Sequence, residues 1–241
     1  MKKKLLSLLL ALCLVMALVP TTAFAAGTTD SWDGTADTSW YDENETEFHL
    51  QTAEQLAGMA KLINGDMANF KDKTIYLEND LDLGGHEWIS IGDGANTDVG
   101  SFQGVFDGQS HVVYNLYSHE GLKSENKDNN NNLYRNGLFG SIYNATVKNL
   151  GIENADIVIP MKDGSTYGKG ILVDWMTHST INNCYTTGSI TGGSYIEKYI
   201  GGIAGFLNGN NSISQCYSTA AITGNYDGCL LYTSDAADDS L

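Results

Sequence analysis

The sequence predicts an all-β protein, a parallel β-helix (solenoid) carrying a capping α-helix on its N-terminal side, and three observations lead there. A short pattern returns four times: a Gly with an apolar pair, then, after a turn, a β-branched residue, an amide and a Leu or Cys. The copies are Gly104-Val105-Phe106 with Val113-Tyr114-Asn115-Leu116, Gly137-Leu138-Phe139 with Val147-Lys148-Asn149-Leu150, Gly170-Ile171-Leu172 with Ile181-Asn182-Asn183-Cys184, and Gly202-Ile203-Ala204 with Ile213-Ser214-Gln215-Cys216. Their amide positions step by 34, 34 and 32 residues, a near-constant period that marks units stacked one on the next. Short β-branched runs broken by Gly and Asn are the second observation, and one amphipathic helical pattern ahead of them is the third.

The elements follow in chain order. Lys2, Lys3 and Lys4 precede an apolar run over residues 5–18 and an Ala23-Phe24-Ala25 site, so residues 1–25 read as a cleaved signal peptide and the protein as secreted. The apolar run is short for a membrane span, and no later segment is apolar enough to be one. Residues 26–47 form a polar stretch with Trp32, Trp40 and Tyr41. The β-helix domain is expected over residues 48–228, entered by an extended segment at 48–50.

A capping helix over about residues 53–63 is announced by Thr52 as N-cap and Gln55 in capping-box position, with Leu56, Met59, Ala60 and Ile63 on one face. Asn64-Gly65 is expected to stop it in the left-handed conformation. Residues 74–83 alternate Ile75, Leu77, Leu81 and Leu83 with Tyr76, Glu78, Asp80 and Asp82, a strand with one wet side. Repeats begin at about residue 102.

Within the repeats, Val113, Val147, Ile181 and Ile213 are expected to stack as one inward ladder, and Leu116, Leu150, Cys184 and Cys216 as another. An odd spacing between inward positions is incompatible with a straight strand, so the chain must bend at Asn115, Asn149, Asn183 and Gln215. Asn tolerates the left-handed backbone best among residues other than Gly, and stacked amides can bond along the axis. Gly104, Gly137, Gly170 and Gly202 fit tight corners. Residues 120–135, 160–169 and 192–198 are expected as loops between coils.

From Cys229 the chain breaks the repeat. In one back-translation, residues 229–241 resemble a transposase adaptor used in preparing sequencing libraries, so they read as a translated artefact, with the natural chain continuing. Of the cysteines, Cys13 falls in the signal and Cys229 in the tail. Cys184 and Cys216 occupy equivalent repeat positions and stand open as either a buried thiol ladder or a disulfide.

These motifs resemble a known group. Gly137-Leu138-Phe139-Gly140 and Gly202-Ile203-Ala204-Gly205 are similar to the GLUG motif, and residues 102–111 resemble the F-x-G-x-F-D-G-x-G-H element that often precedes it. Residues 53–92, with Asp80-Leu81-Asp82-Leu83 and Trp88-Ile89-Ser90-Ile91-Gly92, resemble the N-terminal part of the same large secreted proteins of Gram-positive bacteria. The resemblance covers most of residues 45–224 and implies a right-handed β-helix at the cell surface, as in adhesin-like and IgA-peptidase-like proteins. The third repeat, Gly170-Ile171-Leu172-Val173, lacks the closing Gly, and Ser110 stands where Gly is usual. The shared motifs are structural and transfer no catalytic residue.

Function is constrained more loosely. With 29 acidic against 13 basic residues and a formal charge of −16, nucleic acid and anionic lipid are poor partners, since both require basic patches. Asp80, Asp82 and Asp107, with His111, are the carboxylate candidates for a carbohydrate-active β-helix enzyme, whose two acids must sit at a set separation. They equally read as a solvated strand face and turn chemistry. The histidines lack ligand spacing, weak calcium binding at Asp80, Asp82, Asp93 and Asp98 is an open alternative, and no cofactor is implied. Tyr185 and Tyr217 follow the inward cysteines and are expected to point outward as an aromatic ladder, the better hint of binding, with cross-strand packing against neighbouring loops standing equally open. The expected role is a non-enzymatic module, the N-terminal fragment of a larger adhesin-like surface protein contacting host protein, glycan or cell-wall polysaccharide, with a carbohydrate-active lyase or glycosidase, or the non-catalytic N-terminal region of a surface peptidase, as the alternatives.

Overall fold

A computed structural model describes residues 31–94, 99–125, 132–159, 168–192 and 199–223. The expected signal peptide, the tail and residues 162–164 and 195 lie outside these. The described chain is a parallel β-solenoid of about four turns with a single helix.

Strand β1 (Glu47–Leu50) leads into helix α1 (Ala53–Asn64). Thr52 and Gln55 close a reciprocal capping box, each side chain bonding the other residue's backbone N–H at 3.3 Å. Gly65 does not take the left-handed conformation expected of it; its φ is −92° and the left-handed residue is Asp66 at 54°. A 5→1 bond from the Gly65 N–H to the Lys61 carbonyl still closes the helix, so the reversal is displaced by one residue. The polar stretch before β1 also has a packing role. Trp40 stacks on Phe70 at 6.0 Å, Tyr41 on Phe48 at 5.6 Å, and Trp32 is buried beside Trp88. The same stretch lies against α1, where the Asp37 N–H bonds the Glu54 carbonyl at 2.8 Å and Gly58 leaves no room for a Cβ beside the Asp37 carbonyl, so more of the helix is buried than one amphipathic face requires.

Beyond α1 the main sheet is built from short parallel strands in every coil: β2 (Thr74–Leu77), β3 (Leu81–Asp82), β4 (Val105–Asp107), β5 (Val112–Tyr114) and β6 (Tyr117–Ser118). Next comes a hairpin, β7 (Leu122–Glu125) with β8 (Asn132–Arg135), antiparallel where a plain loop was expected. The later coils contain β9 (Phe139–Tyr143), β10 (Thr146–Val158), β11 (Lys169–Gly170), β12 (Val173–Thr177), β13 (Thr180–Thr191), β14 (Ile200–Gly201), β15 (Ala204–Asn208), β16 (Ser212–Ser214), β17 (Tyr217–Ser218) and β18 (Ala221–Thr223). β9, β12 and β15 form a second parallel sheet.

Register corrects the expected ladders. Phe48, Ile75, Phe106, Val147, Ile181 and Ile213 form the inward column, each in register with the next. Val113 belongs to another column, Leu81–Val113–Ile152–Thr186, and does not stack on Val147. The cause is a longer turn. Residues 108–111 separate β4 from β5, whereas only residues 149 and 150 intervene at the corresponding place in β10. The 34-residue step from Asn115 to Asn149 therefore joins two different corners of the coil. Asn115 is bonded instead to Asn154, whose Nδ2 donates to its Oδ1 at 2.6 Å.

The bends have the backbone geometry that odd spacing demands. Asn115, Asn149, Asn183 and Gln215 have φ of 57°, 53°, 52° and 54°, and Asn154 has 57°. Along β10 and just past its end, Val147, Leu150, Ile152, Ala155, Ile157 and Ile159 are all buried. The spacing is odd only across Asn149 and Asn154 and even elsewhere. Each fully buried Ile, Val or Leu contributes about 1.5–3 kcal/mol, so these columns carry most of the stabilisation.

In the second sheet Phe139, Val173 and Ala204 are in register, which places Asp174 opposite Gly140 and Gly205. Gly170 pairs with Gly201, so its expected equivalence to Gly202 is off by one, and Asp174, not Val173, occupies the closing-glycine position of the third repeat. At Gly104, Gly137, Gly140, Gly170, Gly202 and Gly205 a Cβ would lie within 2.6 Å of a neighbouring atom, so close approach of chain to chain excludes a side chain there.

Candidate functional site

The bends at Asn149 and Asn154 divide β10 into straight runs, and three outward columns cross the first two of them. In the first, His49, Tyr76, Asp107, Lys148, Asn182 and Ser214 follow one another in register. The His49 and Tyr76 rings stack at 5.0 Å, and Lys148 Nζ pairs with Asp107 Oδ2 at 3.1 Å. The second column is Val112, Gly151, Tyr185 and Tyr217. In the third, Asp82, Tyr114 and Glu153 are neighbours.

The second column explains both tyrosines. Gly151 leaves the space into which Tyr185 leans, since a Cβ on Gly151 would sit 2.6 Å from Tyr185 Cζ. The Tyr185 hydroxyl donates to Glu153 Oε1 at 2.7 Å, and Tyr217 stacks on the same ring at 5.3 Å with 6° between planes. Burial, the Glu153 hydrogen bond and the Glu153 charge all raise the Tyr185 pKa, so the phenol stays protonated. Rings stacked this way turn their faces toward each other along the solenoid axis. Tyr185 is thus enclosed between Gly151 and Tyr217, and Tyr217 is 53% exposed on the outermost described coil.

Asp80, Asp82 and Asp107 each serve their own chain. Asp80 Oδ1 accepts from the Val112 N–H at 2.9 Å and lies 3.0 Å from His111 Nδ1. Asp82 Oδ1 accepts from Asn115 Nδ2 at 2.7 Å and the Gly84 N–H at 2.8 Å. Asp107 Oδ1 accepts from Asn149 Nδ2 at 2.9 Å, and Asn149 Oδ1 in turn accepts from Asn183 Nδ2 at 2.9 Å. Two carboxylates therefore stand at the feet of two amide ladders. Burial pushes the Asp107 carboxyl up, but hydrogen bonds from Asn149, Gln109 and Lys148, with the lysine charge, outweigh it and hold the pKa below the ordinary aspartate value. A general acid in glycoside hydrolysis requires the opposite shift.

Other residues were not anticipated. Asp174 is fully buried and accepts from the N–H groups of Asn136 at 2.7 Å, Gly170 at 3.0 Å and Gly137 at 3.2 Å, beside Lys169 Nζ at 3.6 Å. Glu87 gathers the N–H groups of His119, Glu120 and Gly121 at 3.0, 2.8 and 3.1 Å, anchoring the start of the hairpin. In sequence both look like ordinary polar positions; only the register of the neighbouring coil reveals their partners. Among the described residues no group of three or more His, Cys, Asp or Glu side chains is placed to hold a metal, and no helix is long and apolar enough to cross a membrane. Asp98 lies outside them.

Fold and outer face together define a parallel β-solenoid with aromatic, amide and carboxylate side chains aligned in outward columns. Compared with protein-family models, curated proteins and solved structures, the chain matches none.

Proposed function

We propose that the chain is a secreted or cell-surface β-solenoid module of the GLUG-repeat, adhesin-like kind whose outer face binds a glycan. The observation that carries this reading is the Gly151–Tyr185–Tyr217 column. Tyr185 holds the Tyr217 ring parallel to itself, so the exposed aromatic face is oriented before any ligand arrives and little rotamer freedom is lost on binding. A sugar presents an apolar CH face to such a ring and hydroxyls to its surroundings. Gln215 and Thr219, both exposed beside Tyr217, supply amide and hydroxyl groups for them. A net charge of −16 favours neutral or amino sugars over anionic ones. The GLUG reading is supported by the in-register placement of the motif-closing glycines, Gly140 and Gly205, around the shared position held by Asp174.

Titration against a panel of neutral, amino-sugar and anionic polysaccharides tests the proposal. At least one neutral or amino-sugar polymer should bind, and Tyr217→Ala should weaken that binding about tenfold while leaving the unfolding midpoint unchanged. The reading fails if no polysaccharide binds, or if Tyr217→Ala binds as well as the unmodified chain.

A further inference from the structure

Cys184 and Cys216 lie on the inner side of the last two described coils, just before the in-register pair Tyr185 and Tyr217. Both carry reduced thiols, and both are buried. Neighbouring parallel strands set their Cα atoms about 4.8 Å apart, inside the span a disulfide bridges. Side chains in a simple ladder run parallel, which keeps sulfurs from meeting, but here the Cys216 sulfur leans back under its neighbour. The Cys184 N–H donates to Cys216 Sγ at 3.4 Å, while the Cys184 thiol itself donates to the Asn182 carbonyl at 3.3 Å. We propose that Cys184 and Cys216 form a dithiol that closes into a disulfide between these coils when it meets a small-molecule disulfide.

Two features assign the roles within the pair. Hydrogen bonding from Cys184 favours a thiolate at Cys216 and holds its pKa to about 7, while Cys184 is raised by its contact with Cys216 and by burial. Cys216 also lies in the outer of the two coils, is the less enclosed of the pair and has the Cys184 N–H on its sulfur, so it is the attacking sulfur. Access comes through the outer coil: Ile213 and Ile222 are only half-buried there, whereas Ile181 and Ile190 beneath them are fully enclosed.

In the first step the Cys216 thiolate attacks one sulfur of the reagent, breaking its S–S bond and expelling one thiolate. Cys184 then loses its proton to that thiolate, and its sulfur attacks Cys216 Sγ in the mixed disulfide, expelling the second. Two electrons leave the cysteine pair, the second thiolate takes up from water the proton that Cys216 released on ionising, and the reagent ends as two thiols, so the exchange balances. The crosslink would pin β16 and β17 to β13 and fix the register that stacks Tyr217 on Tyr185.

The test uses the full chain treated with oxidised glutathione under native conditions, alkylated, and mapped by tandem mass spectrometry. A Cys184–Cys216 linked peptide should predominate, and the unfolding midpoint should rise by about 5 °C or more, reversibly with reductant, as closing a loop of this length predicts. Cys184→Ser should stop at a glutathione adduct on Cys216; if that variant does not fold, the reversible midpoint shift of the unmodified chain decides alone. Adducts without closure in the unmodified chain, linkage of Cys216 to Cys229, or no reaction would each overturn the proposal.

Discussion

Asp107 shows how much one side chain does in this molecule. It terminates the Asn149–Asn183 amide ladder, receives the Gln109 N–H at 3.0 Å and pairs with Lys148. Because its folded pKa lies below the ordinary aspartate value of 3.8, its stabilisation is present above that value and lost as pH falls through the folded pKa. Asp107→Asn should therefore lower stability at neutral pH by about 1–2 kcal/mol, the worth of charge-assisted bonds. It should also remove part of the acid-induced loss below about pH 4, which urea unfolding at the two pH values measures. Sequence disclosed the left-handed asparagines because few other residues tolerate that backbone and the odd apolar spacing demanded a bend. It did not disclose that Asp107 and Asp82 found the ladders, because a carboxylate in a turn looks the same whether it faces water or an amide from the next coil.

At the scale of elements, the corner of the third repeat departs most from its motif. Where Gly140 and Gly205 close the pattern, Asp174 reaches back to three backbone N–H groups and to Lys169, while Arg135, also buried, lies over Trp175 at 5.6 Å. Burial lowers the Arg135 pKa, and the charges of Asp174 and Asp93 oppose that fall. The carboxylate thus offsets buried cations and caps donors that the sheet leaves unused. Asp174→Gly matches the motif yet removes the carboxylate beside Lys169 and the acceptor of the three N–H groups, so it should destabilise the fold by about 3–5 kcal/mol in denaturant titration. An unchanged midpoint would show that the corner rests on backbone geometry alone. Strand and helix positions were legible here from periodicity and capping; α1 declared itself through Thr52 and Gln55. The hairpin β7–β8 was not, since its polar residues carry no apolar alternation to mark a strand.

For the whole molecule, the architecture follows from a simple constraint: short apolar runs that cannot bury themselves alone do so by stacking on the coil before. Periodicity made that legible, but register was not, because two residues inserted into a turn move every later position of that coil. The repeat read from Val113 and Asn115 matches the later repeats in letters and differs from them in place. Solution NMR with methyl and aromatic labelling tests the stack most directly. The structure predicts nuclear Overhauser contacts from the Phe106 ring to the Val147 methyls, from Val147 to Ile181, and from Val113 to Ile152. Contacts from Val113 to Val147 with none from Phe106 would contradict it.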